Sequence, residues 1–162
     1  MVAERQESMA QFVDRFLQRI TLGVFVLAFS YAVGVAKYFA GEEMLVALDM
    51  VKTGLALLGA AITLPSFIKF VRMKKKCGSS FAEPSGYIVE VYRKACEYAF
   101  AFTFVLLILL EPVAVEFLVD VPAALYIHVT LTVSLLSLSL SFFFMSRGGD
   151  DELDDDFGGE NV

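Results

Sequence analysis

Lys37, Asp49, Lys52, Glu111 and His128 are the residues of this chain whose types could do chemistry together. Each lies inside or at the edge of a long apolar run. An unpaired charge there costs a few kcal/mol at a bilayer centre and less near the interface. Asp49 and Lys52 are three residues apart and can pair on one helix face. Lys52 and Glu111 suit a pair between helices. Three uses compete: a structural salt-bridge layer, a site for a proton, ion or small anion, and contact with a partner subunit. His128, taken alone, reads as a hydrogen-bonded packing residue.

Familiar catalytic patterns are missing. The sequence has no G-x-S-x-G, no phosphate-binding G-x-x-x-x-G-K, no H-E-x-x-H and no C-x-x-C. One histidine excludes bis-histidine haem ligation within the chain. Cys77 and Cys96, without a nearby histidine, make a poor metal site, and the reduced compartment expected around them disfavours a disulfide. No enzyme activity, cofactor or metal is expected.

The elements that must position the five residues are membrane helices. Of 162 residues, 57% are hydrophobic, above the 45–50% or so of an ordinary soluble domain, and they gather in long runs. The fold expected is all-α: a four-transmembrane-helix bundle with an N-terminal amphipathic helix and a disordered acidic tail. Residues 1–19 form the amphipathic segment, with Met9, Phe12, Val13, Phe16, Leu17 and Ile20 on one stripe. It either lies in the headgroup plane or extends the first span. Residues 20–147 form the membrane domain, with spans at about 20–39, 44–71, 87–118 and 123–145 and a hinge at 72–86. Residues 148–162 are the tail, too polar to bury.

Arg72, Lys74, Lys75 and Lys76 fall within five positions of the hinge. Basic residues in a short loop mark the cytoplasmic side, so both termini are expected there, in a cell or inner membrane. The same four side chains are expected to contact anionic lipids. Net charge is -6, but seven of the 19 acids sit in the last thirteen residues. Without them 12 acids face 13 bases, and no basic face remains for nucleic acid.

Helical rise then sets depth. Lys37 lies about 27 Å above Arg19, and Lys52 about 25 Å above Lys69. Glu111 lies about 21 Å above Glu97, and His128 about 28 Å above Arg147. All five residues are therefore expected in the outer part of the membrane, supplied by all four helices. The apolar run from Tyr98 to Leu110 covers only about 20 Å, so span three draws in Glu97 or Glu111. Pro112 is expected to kink or loosen its outer end.

Small residues mark packing faces. Ser30 and Gly34 make a small-xxx-small pair in span one, and Gly59 sits in a small-residue stretch of span two. Span four carries Thr130, Ser134, Ser137 and Ser141 on one face and His128, Thr132 and Ser139 on the opposite one. One strip is expected to face the bundle and the other a second protomer or partner. In size and topology the chain resembles the small four-helix membrane subunit of TRAP transporters, with Glu42-Glu43 in the first outer turn. That family's tryptophan beside the acids has no counterpart here, and no function is carried over. The function expected is a non-enzymatic membrane subunit, as a homo-oligomer or in a larger complex. A small transporter, channel or transporter accessory using the outer polar cluster is the alternative.

Overall fold

The computed structural model describes residues 2–77, 86–117 and 121–151; side chains are described from Gln11 onward, except 76–77, 115, 117 and 148–151. Its elements are four helices, α1 (Val2–Ala36), α2 (Glu42–Cys77), α3 (Tyr87–Phe117) and α4 (Ala123–Asp151). Each contains a stretch long and apolar enough to cross a membrane: Gln11–Ala36, Glu42–Lys75, Tyr87–Ala114 and Ala123–Arg147. Among the described residues there is no strand.

The helices stand in the order α2, α1, α4, α3. α1 packs on α2 and on α4, α4 packs on α3, and α3 touches α1 over a short stretch. Among the described residues α2 and α3 do not meet. The two end helices of the row therefore leave most of their apolar side chains exposed, as a lipid-facing surface requires.

Each junction uses the residues that let helices come close. Between α1 and α2, Gly23 faces Gly59: a Cβ on Gly59 would stand 2.7 Å from Leu27 and 3.2 Å from the Gly23 carbonyl, and one on Gly23 would collide with Thr63. A Cβ at either position would force the facing side chain to shift. Between α1 and α4, Ala28, Thr21 and Ser139 are fully buried. The Ser139 hydroxyl bonds back to Leu135 O at 2.8 Å, whereas the buried Thr21 hydroxyl has no hydrogen-bond partner among the described residues. Between α3 and α4, Phe142 is fully buried against Val91 and Ala95, and Tyr87 donates to Met145 O at 2.8 Å.

Helix limits differ from the sequence expectation in three places, at the ends of α1, α2 and α4. α1 is one continuous helix through residue 19, with Val13 buried and Phe16 stacked on Phe70 of α2 at 4.4 Å. α1 stops at Ala36, and Lys37, Tyr38 and Phe39 form a tightened turn. α2 continues through Arg72–Cys77, six residues into the expected hinge, since arginine and lysine are good helix formers and complement the dipole at a C-terminus. α3 passes through Pro112 to Phe117, and proline is tolerated in membrane helices. α4 runs to Asp151, into the segment expected to be disordered, because propagating a formed helix fixes one residue per hydrogen bond. Residues 78–85 of the hinge and 152–162 of the tail lie outside the described residues.

Candidate functional site

Four of the five ionisable residues meet where α1 ends. Gly34 is the reason they can. With no side chain on α1 at that point, the His128 ring of α4 lies against the α1 backbone, and a Cβ on Gly34 would be 3.3 Å from two ring atoms. Lys52 of α2 then reaches His128, its Nζ standing 3.5 Å from Nε2. One helix turn deeper on α1, the buried Ser30 donates to the backbone carbonyl of Lys52 at 2.9 Å. Ser30 thus holds α2 while Gly34 receives α4. The small-xxx-small pair serves two neighbours rather than one.

Asp49, two turns from the start of α2, takes the Lys37 ammonium in an ion pair at the exposed rim. This differs from the expected Asp49–Lys52 pairing within the helix. Tyr31 and Tyr38 flank the imidazole, with ring centroids 5.9 and 6.2 Å from it. Gly34, Lys37, Tyr38, Lys52 and His128 enclose a cavity of about 290 Å³. The tyrosines were not anticipated as part of this group; Tyr38 beside Lys37 was the available signal.

Glu111 is the exception. It lies exposed on α3, the helix that does not meet α2, and no ion pair involves it among the described residues. The expectation of a Lys52–Glu111 pair fails because depth along a helix says nothing of its place in the row. Glu111 lies on the far end helix of the row.

The polar strips of α4 both find neighbours in this chain. His128 and Ser139 face α1. Ser134 faces α3, where its hydroxyl meets that of Thr103 at 2.7 Å, and it bonds back to Thr130 O at 2.7 Å. Ser137 and Ser141, further along the same strip, line an open groove between α3 and α4. Arg72, Lys74 and Lys75 sit on the last turns of α2 without an ion-pair partner among the described residues, and the Lys76 side chain lies outside them.

The group around His128 contains no activated nucleophile, and no three His, Cys, Asp or Glu residues converge as metal ligands among the described residues. His128 Nδ1 is buried with no hydrogen-bond partner there. What the arrangement does is fasten: Lys52, Ser30, Gly34 and His128 tie three helices together at one end. Compared with known protein families, curated proteins and solved structures, the chain matches none.

Proposed function

We propose that this chain is a non-enzymatic subunit of a membrane complex, in which the groove between α3 and α4 receives a transmembrane helix of a partner. The groove carries the reading. It measures about 590 Å³ and is walled by Tyr98, Phe102, Leu136 and Phe144, with Ser137 and Ser141 in its lining. A small-xxx-small pair facing an open groove favours a helix backbone over a fluid acyl chain, because small residues matter only where backbones approach closely. The Lys37–Asp49 ion pair and the Lys52–His128 contact at the other face of α4 support a fastening role for these charges. A transport path built on Lys52 and Glu111 has no support from their positions on separate, non-touching helices.

In this reading the basic end of α2 and Arg147 of α4 face the cytoplasm, with both termini, following the bias of Lys and Arg in short loops. The testing experiment is the size of the native complex in mild detergent. Ser137→Leu with Ser141→Leu should fill the groove and release the partner, leaving a stable single chain. A complex of unchanged size and composition would refute the groove as the contact; a released second copy or a different protein identifies the partner.

A further inference from the structure

At the opposite end of the α1–α2 crossing, three cations line one cleft with no carboxylate among its described lining residues. Arg15 and Arg19 stand one turn apart on α1, and Lys69 comes from α2, one turn beyond Ser66; with Phe12 and Phe16 they enclose about 260 Å³. None of the three cations has an ion pair among the described residues. Lys37, Arg93 and Lys94 each have a carboxylate partner, whereas Arg72, Lys74 and Lys75 share with the cleft cations the lack of one among the described residues. Like charges at i, i+4 repel, and a third cation across the cleft adds to that. Such a group is most stable when an anion sits among it.

We propose that this cleft is a binding site for the phosphate of an anionic lipid headgroup. The donor set matches the ligand. Guanidinium groups offer planar pairs of N–H donors suited to phosphate oxygens, and an ammonium adds a compact point charge. The walls match as well: Phe12 and Phe16 present apolar surface beside the charges, as the boundary between headgroup and acyl chain demands. Phe16 is held in place by its stack on Phe70. Position agrees, because basic pockets between transmembrane helices at the membrane edge are suited to lipid headgroups. The site is distinct from the basic run of Arg72, Lys74 and Lys75, which follows on later turns of α2 and lines no part of the cleft.

The test titrates the purified full-length chain in mild detergent with dioctanoyl phosphatidylglycerol, dioctanoyl phosphatidylcholine and inorganic phosphate, read by native mass spectrometry and thermal midpoint. Phosphatidylglycerol should bind and raise the midpoint, and phosphatidylcholine, whose choline offsets its phosphate, should bind at least tenfold more weakly. Arg15→Gln with Arg19→Gln should weaken phosphatidylglycerol binding by tenfold or more. Arg19→Lys should retain part of it. Lys74→Gln with Lys75→Gln, which removes equal charge outside the cleft, should change it less than twofold. Ser66→Met, which fills the cleft without removing charge, should weaken it like the arginine pair. Inorganic phosphate binding with the same pattern of losses would support the phosphate site and assign it to the free ion. Equal losses from the cleft and outer pairs would overturn the proposal, as would equal binding of the two lipids.

Discussion

Lys52 of α2 and His128 of α4 stand 3.5 Å apart although the backbones of their helices do not pack on each other. The long lysine and the bare backbone at Gly34 make the contact possible. Because Lys52 meets His128 and not Glu111, a double-mutant cycle separates the two arrangements. Lys52→Met and His128→Leu should couple by about 0.5–3 kcal/mol, the range for residues in contact. Lys52→Met and Glu111→Gln should add within about 0.5 kcal/mol. Thermal unfolding in detergent measures both cycles, and coupling in the second would place α3 beside α2.

Two glycines of α2 give opposite expectations. A Cβ at Gly59 meets Leu27 at 2.7 Å, whereas one at Gly54 meets nothing within 4 Å. Gly59→Ala should therefore destabilise by about 1–3 kcal/mol, as overpacking does. Gly54→Ala should be neutral or slightly stabilising, since alanine is the better helix former by about 1 kcal/mol.

The Lys37–Asp49 pair sits at an exposed rim, with Asp49 58% exposed. Asp49→Asn should cost no more than about 1 kcal/mol, and that cost should shrink as salt is raised. A larger, salt-insensitive loss would mean that the pair is shielded from water.

Ser139 is fully buried and reaches Thr21 O at 3.4 Å across the α1–α4 seam. Ser139→Leu should separate the seam and lower stability by about 1–3 kcal/mol. Ser141→Leu, on the open groove, should leave the isolated chain's thermal midpoint nearly unchanged.

Orientation is open to a direct test. A cysteine at Glu42 should react with a membrane-impermeant thiol reagent applied to intact cells, while Cys77 stays protected until the membrane is permeabilised. The reverse pattern would invert the proposed topology.

Four helices long and apolar enough to cross a membrane, and the grouping of Lys37, Asp49, Lys52 and His128, were legible in the sequence because both depend on one-dimensional quantities. Apolar run length gives the spans, and rise per residue gives height; Lys37, Asp49, Lys52 and His128 follow from these alone. Lateral order does not. Whether Glu111 or His128 meets Lys52 depends on which helices are neighbours, and the bare backbone at Gly34 decides it for the histidine. The cleft of Arg15, Arg19 and Lys69 was hidden for the same reason. The two arginines advertise a basic helix turn, but only the Gly23–Gly59 crossing brings Lys69 across from them.

The central seam of the row joins α1 to α4, the first and last helices along the chain. During synthesis the face of α1 carrying Ala28 and Gly34 must wait for a partner that is made after two intervening helices. The α1–α2 and α3–α4 hairpins each complete their own interface as soon as they are inserted, so the molecule is assembled from two halves that dock late. Halves produced as separate polypeptides, cut between Cys77 and Tyr87, have the surfaces needed to find each other in the bilayer.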